Sequence, residues 1–377
     1  MKQVAGLIFH APLGTSGGEE LVERSRWAVT VELVRRLHAA GLADIFVVTP
    51  DPARYPSPHG PITYLDSGEP ESFHFGRAFQ RLIRRLDLDG VVYFGSGSGA
   101  LLSEDDLARL IEFARGEAPR ALFNNFYSCD FCAISGARGL LPLSLPDIDN
   151  PLGFTLADSG FPCFALPRSA ATQFDIDTPI DVLLLQRSNA TAGDVRSFLV
   201  SVNERHPSLD RALATLADRS ALTCVIGRMS PVTWSHFEAQ VACRTSALIE
   251  ARGMRAGASH HVPWLRQVLE ADGPDAFFDR LGRSCDAAWV DSRPLLGQAD
   301  EAPPARTRFA SDLFRLSEVE DAHWRAFTEA ALHARIPVVL GGHGLVSGDL
   351  YLAAEACWKG TNLARRLHPE PFAETKE

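Results

Sequence analysis

The feature that most constrains this chain is an alternation, along its first half, of short apolar β-branched runs with longer helical patterns, joined by glycine-rich turns. Val4 to Phe9 is a short apolar run that enters His10-Ala-Pro-Leu-Gly-Thr-Ser-Gly-Gly18. Glu19 to Ala40 then repeats apolar residues at helical spacing, at Leu21, Val29, Leu33 and Leu37. Ser16 with Glu19 fits a capping box, which starts the helix beside the loop and turns its free N–H groups toward it. Ile45 to Thr49 and Ile62 to Leu65 read as strands, and Phe73 to Leu86 as a helix. Gly90 to Phe94 reads as a buried strand running into Gly95-Ser-Gly-Ser-Gly-Ala100, followed by a helix from Ser103 to Arg115 boxed by Ser103 and Asp106. Ala121 to Phe123 and Phe161 to Leu166 continue the strands, and Asp175 to Asp181 opens a helix with Pro179 in its first turn. The alternation predicts an α/β fold with a doubly wound, mostly parallel sheet.

A second series follows. Gln186 to Asp218 is polar and helix-like, and Leu222 to Ile226 begins a further α/β unit. It holds a helix near Pro231 to Ala251, a strand at Ala287 to Val290, a helix at Ser317 to Ala334, the strand Ile336 to Leu340 and a helix from Asp349 to about Trp358. The expected division is residues 1–187, a helical connection 188–220, a second α/β domain 221–360, and a polar tail 361–377. A chain of 377 residues, 46% of them hydrophobic, has the material for two such cores.

The net charge of −10 is spread without long runs of one sign, which argues against a nucleic-acid partner. The first residues lack a signal-peptide pattern and no 18-residue apolar span occurs, so the expected location is the cytoplasm, with no membrane partner. Seven irregularly spaced cysteines do not make a disulfide framework, and Cys129 and Cys132 lack the second pair that a structural zinc site needs. His260-His261 has no third ligand in view.

Glycine-rich loops at the carboxyl edge of a parallel sheet let backbone N–H groups approach a phosphate, which makes Gly14, Thr15, Ser16, Gly17, Gly18, Gly95, Ser96 and Gly97 nucleotide-binding candidates, with Arg24 the nearest cation of the first helix alongside Arg26. The same glycines equally serve tight turns. Neither loop matches a Walker motif or a clean dinucleotide fingerprint. Asn124, Asn125, Tyr127, Ser128 and Asp130 form a compact polar group that could bond a substrate or simply close a turn. In the second half, Gly342, His343 and Ser347 lie in a glycine-rich turn that could meet a phosphate. Asp175 and Asp177 open a helix, where carboxylates hold a hard divalent ion or cap the helix.

Phe174-Asp-Ile-Asp-Thr-Pro-Ile-Asp-Val182 resembles the N/D-T-P-x-D-L signature that closes the core of MobA-like nucleotidyltransferases, which make molybdopterin guanine dinucleotide, and of the 2-phospholactate guanylyltransferases. The resemblance covers residues 1–187 and implies a Rossmann-like three-layer domain of GT-A type. It places His10 to Gly18 as the nucleotide-binding loop and Gly95 to Gly97 after the central strand. It also implies Mg²⁺ on Asp175 and Asp177, with Asp130, neutralising charge while a nucleotidyl group passes from a nucleoside triphosphate to a small phosphorylated acceptor. Two departures stand out: the loop lacks the family's basic residues, and Gly95-Ser-Gly-Ser-Gly99 lacks the aspartate of the metal-binding turn. They support an alternative expectation, a degenerate relative that binds a nucleotide or nucleotide-sugar without catalysis.

Overall fold

The computed structural model describes residues 2–56, 62–68, 73–188, 191–252, 261–297 and 303–361. The expected polar tail after Thr361, and His260, lie outside these residues.

The first half builds a seven-stranded sheet from β1 (Val4–Phe9), β2 (Asp44–Val48), β3 (Thr63–Leu65), β4 (Gly90–Gly95), β5 (Arg120–Phe123), β6 (Phe131–Ser135) and β7 (Cys163–Ala165). Their order is β3-β2-β1-β4-β6-β5-β7, and all pairings are parallel except those of β6, which runs antiparallel to β4 and β5. Helices α1 (Gly17–Ala39), α2 (Phe75–Arg85), α3 (Glu104–Ala114), α4 (Leu152–Asp158), α5 (Ala170–Gln173) and α6 (Pro179–Arg187) accompany it. Central strands bury alternate residues on both faces: Ile8 and Phe94 join one core with Leu33 and Ile111, while Leu7 and Tyr93 join another with Phe79 and Phe123. Burial on both sides explains why these strands read as continuous apolar runs.

α7 (Gly193–Ser201), which packs on α1, and α8 (Leu209–Leu216) form the helical connection. The second domain is a four-stranded parallel sheet of order β11-β10-β8-β9, from β8 (Leu222–Gly227), β9 (Arg244–Ile249), β10 (Ala287–Asp291) and β11 (Val338–Gly341). Its helices are α9 (Pro231–Gln240), α10 (Trp264–Asp272), α11 (Pro274–Ser284), α12 (Arg293–Leu296), α13 (Ala305–Asp312), α14 (Ala322–Leu332) and α15 (Gly348–Ala356).

Two strands depart from the sequence reading. Phe131–Ser135 carries no strand expectation in the sequence, yet it forms the antiparallel β6, because Tyr93 and Phe123 both pair across Cys132. The helix expected over Pro231 to Ala251 stops at Gln240, and Arg244–Ile249 pairs in register along β8 from Leu222 to Gly227. Sheet pairing outweighs the local pattern in both places. The helix expected from Ser317 begins instead as a separate turn at Leu316–Glu318, with α14 starting after Asp321.

Helix α6 belongs to both domains. Val182 and Leu185 enter the first core while Ile180, Leu183 and Leu184 enter the second, so the helix is buried from Pro179 to Leu185. This shared helix fixes the segment before it, Asp175 to Thr178, between the two sheets. A Cβ on Gly97, beyond the end of β4, would meet Asp175, and one on Gly342, beyond the end of β11, would meet Thr178. The carboxyl ends of both sheets therefore face one notch.

Candidate functional site

The first glycine-rich loop carries its own anions. Ser16 caps α1 in the expected capping box, and the Glu19 carboxylate accepts from the Ser16 backbone N–H at 3.2 Å and from its hydroxyl at 2.8 Å. The Leu13 N–H donates to Glu23 at 2.8 Å, and Glu23 also takes Arg54 at 2.6 Å and the Tyr55 hydroxyl at 2.9 Å. A Cβ on Gly14 would collide with the Glu19 carboxylate. Gly17 lies against Arg315 and Gly18 against Phe309 of α13, so these two glycines admit the second domain. Arg24 points elsewhere, to Glu20 and over the Phe198 ring of α7. Thr15 stays exposed. His10, buried between Trp27 and Tyr55, is held neutral, its pKa lowered to about 3 by burial and by the charges of Arg26 and Arg54.

The turn after β4 meets the acidic segment. Gly97 has φ +138°, and its missing Cβ would sit 2.7 Å from Asp175 Oδ1 and 2.9 Å from the Ile176 carbonyl. Gly97→Ala is expected to cost about 1–3 kcal/mol through backbone strain and overpacking, measurable as a lower melting temperature. Ser98 ties the turn to β6 through the Gly95 and Asp130 carbonyls, and Gly95 lies 3.8 Å (from its virtual Cβ) from Asp149. Ser96 donates its backbone N–H to Phe9, joining the ends of β1 and β4.

Four carboxylates collect at this edge: Asp130, Asp149, Asp175 and Asp177. Burial, then the charge of Asp149, pushes Asp130 up to about 7 against the donation from Asn124. Burial raises Asp149 despite a 2.6 Å bond from Tyr93 Oη, and burial with the charges of Asp177 and Asp130 raises Asp175 well above the usual carboxylate range. Asp177 is exposed and pairs with Arg26 at 2.7 Å, while Arg26 Nε donates to the Ile176 carbonyl at 2.6 Å.

The polar group after β5 is largely satisfied internally. Asn124 is buried; its amide donates to Asp130 and to the Thr172 carbonyl, and its oxygen accepts from the N–H groups of Asp130 and Phe131. Asn125 accepts from the Tyr127 N–H, and Ser128 donates to Asn150. Asp130 joins the acidic wall, and Tyr127 is exposed against Phe126 and Phe154. Thr178 caps α6, with Asp181 accepting from Asp177 N, Thr178 N and Thr178 Oγ1.

The opposite wall is basic and comes from the second domain. Arg228, just past β8, holds Asp291 at the end of β10 through Nε at 2.7 Å and a second nitrogen at 3.1 Å. Burial would raise the Asp291 carboxyl, but the charge and bonds of Arg228 outweigh it and hold it below its ordinary range. Gly227, at φ +140°, allows this approach, since its Cβ would lie 2.4 Å from that of Asp291. Arg293 grips Asp312 at 2.9 and 2.5 Å. Arg308, on α13, is drawn down by burial and by the charge of Arg293. His343 reaches solvent in the second glycine turn, yet its crowded surroundings and Arg228 lower its pKa, and Asp177 lies near enough to oppose them. Gly342 is buried against Thr178, and the Ser347 N–H is spent on the Gly344 carbonyl, so His343 is the residue of that turn that faces the notch.

No family profile and no curated protein matches the chain. Among solved structures it is similar to a protein described as a nucleotide-diphospho-sugar transferase from Desulfovibrio desulfuricans, at 13% identity over 53% of this chain and 95% of that one, with a TM-score of 0.40. It is similar to a cytidylyltransferase from Leptospira borgpetersenii, at 13% identity over 55% of this chain and 100% of that one, TM-score 0.40. A third is a CMP:2-keto-3-deoxy-manno-octonic acid synthetase complexed with CTP, at 14% identity, 49% and 99% coverage, and TM-score 0.34.

Three of the four carboxylates of the acidic wall already have hydrogen-bond partners. Among the described residues no group of three or more His, Cys, Asp or Glu side chains is arranged to hold a metal. Asp177 is engaged by Arg26, Asp130 by Asn124 and Asp149 by Tyr93. The sequence reading missed Asp149 and the whole basic wall of Arg228, Arg293 and Arg308. Arg228 directly follows β8 and Arg293 stands two residues past β10, and that position at a carboxyl edge was the available signal. A separate open groove of about 570 Å³, lined in part by Arg187, Asp210 and Leu213, is shallow, and its Arg187 and Asp210 pair with each other. Among the described residues no helix is long and apolar enough to cross a membrane.

Proposed function

We propose that the protein binds a nucleotide or nucleotide-sugar in the notch between its two sheets and that this binding is independent of magnesium. The observation that carries the reading is the division of charge across the notch. In the first loop, where a triphosphate would need open N–H groups, Glu23 and Glu19 already take the Leu13 and Ser16 N–H groups, and Arg315 and Phe309 pack on Gly17 and Gly18. Guanidinium groups converge instead on the wall opposite. Phosphate recognition then falls to the second domain, and the first supplies the acidic wall, whose carboxylates at Asp130 and Asp175 retain protons more readily than free ones. Such carboxyls can donate hydrogen bonds to sugar hydroxyls.

A second reading, magnesium-dependent nucleotidyl transfer to a phosphorylated acceptor, is favoured by the crowding of the four carboxylates, since a dication would relieve their mutual repulsion. Thermal melting of the purified chain with CTP, GTP and UDP-glucose, each with and without Mg²⁺, separates the two, because a ligand specific for the folded state raises its stability. The expected result is a stabilisation unchanged by Mg²⁺. A shift that requires Mg²⁺ and vanishes in Asp177→Ala would overturn the first reading in favour of transfer.

A further inference from the structure

Arg308 stands one helical turn before Asp312 on α13, a spacing at which arginine and aspartate ordinarily pair. That partner is already taken, for Arg293 occupies both oxygens of Asp312. Among the described residues Arg308 has no ion pair, and its Nε–H is closed off from solvent without an acceptor. A half-buried cation in this state destabilises the fold that holds it, and such a group calls for a reason.

We infer that Arg308, together with Arg228 and Arg293, is a phosphate clamp: a site on the second domain for a phosphate group of the bound ligand. The inference rests on the notch being the ligand site. Arg228 and Arg293 are each locked by an aspartate that is fully buried, Asp291 and Asp312, so their remaining N–H groups are held in place before any ligand arrives. Each of these pairs is neutral, and Arg26 with Asp177 makes a third neutral pair on the facing wall. On the second domain's wall one positive charge, that of Arg308, is left over. A tetrahedral phosphate suits this set better than a carboxylate, because it offers three or more acceptor oxygens to several guanidinium forks at once. His343 stands beside Arg228 at the solvent side, with its pKa lowered, as a further donor.

The test uses the full chain and the variants Arg308→Met and Arg308→Lys, with thermal melting and calorimetric titration against inorganic phosphate, pyrophosphate, UDP and uridine. Methionine keeps the apolar stem and removes the unmatched charge. Without ligand, Arg308→Met is expected to melt at the same or a higher temperature than the parent, while phosphate and pyrophosphate bind at least tenfold more weakly and their stabilisation disappears. Lysine is expected to recover part of the affinity, and uridine to bind neither protein. A phosphate affinity in Arg308→Met within twofold of the parent would overturn the clamp, as would a parent that no phosphate-bearing probe stabilises. UDP binding that survives unchanged in Arg308→Met leaves the notch reading standing and removes the clamp. Phosphate binding that depends on Arg308, with UDP no tighter than phosphate, keeps the clamp and removes the nucleotide reading.

Discussion

Arg228→Met is expected to lower folding stability by about 3–5 kcal/mol, the range for removing one partner of a buried ion pair. Asp291 has no exposed surface, sits at the end of the central strand β10, and receives its main donors from Arg228. Deleting the guanidinium strands a carboxylate in the core. Burial itself works against this charge, and Arg228 first, with smaller help from His343 and Arg293, holds its pKa below the ordinary value. The pair's contribution is therefore present above the unfolded pKa of about 3.9 and is lost as pH falls through the folded pKa. In the variant Asp291 takes up a proton more easily, so the penalty should be largest near neutral pH and shrink toward pH 4. Urea denaturation at pH 7.5 and pH 4.5 reads both the size and the trend. The double variant Arg228→Met, Asp291→Leu should regain most of the loss, because replacing both members removes the stranded charge. A single-variant cost under about 1 kcal/mol at pH 7.5 would mean that water or another donor reaches Asp291.

The fold was legible where local pattern and tertiary environment agree. β1, β2 and β4 are buried on both faces and show it as apolar runs, and the caps at Ser16 and Ser103 announce α1 and α3. Legibility failed where pairing decides. Phe-Cys-Ala-Ile-Ser at β6 and Arg-Thr-Ser-Ala-Leu-Ile at β9 carry weak strand signals, and their partners in β4, β5 and β8 lie far off along the chain. β6 also breaks the parallel rule that a reading of alternating strands and helices assumes.

The site was legible as an edge and not as a set of contacts. Glycine turns after β1, β4 and β11 correctly pointed to the carboxyl ends of the strands, but glycine marks close approach without saying what approaches. At Gly18 the visitor is Phe309, 291 positions away, and at Gly97 it is Asp175. The aspartates at the start of α6 divide in the same way: Asp181 caps its own helix, Asp177 meets Arg26, and Asp175 packs against the turn at Gly97. Sequence spacing put the three together; only the shared helix α6 shows that they stand between two domains.

That shared helix is also where the second large effect is expected. Asp349 on α15 and Asp181 on α6 are both fully buried, and they lie close enough for the charge of Asp181 to act on the Asp349 carboxyl. Asp181 already accepts from two backbone N–H groups and the Thr178 hydroxyl, whereas neither oxygen of Asp349 has a donor among the described residues. The pair is satisfied only if Asp349 keeps its proton and donates it to Asp181. Burial, reinforced by the charge of Asp181, raises the Asp349 pKa well above the ordinary carboxylate value. The sign follows from linkage: the folded state retains a proton that the unfolded chain releases, so this group's contribution is complete below the unfolded pKa of about 3.9 and is lost as pH rises toward the folded pKa. Each unit of separation between the two values is worth about 1.4 kcal/mol. Asp349→Asn supplies a permanent N–H donor of nearly the same shape. It is expected to raise the melting temperature at pH 8 more than at pH 5 and to flatten the decline of stability with rising pH, while Asp349→Leu, which offers Asp181 no donor, should be less stable than Asp349→Asn at both. Melting curves between pH 5 and pH 8.5 decide it: an asparagine variant less stable than the parent by the same amount at every pH would show that α15 docks on α6 without a shared proton.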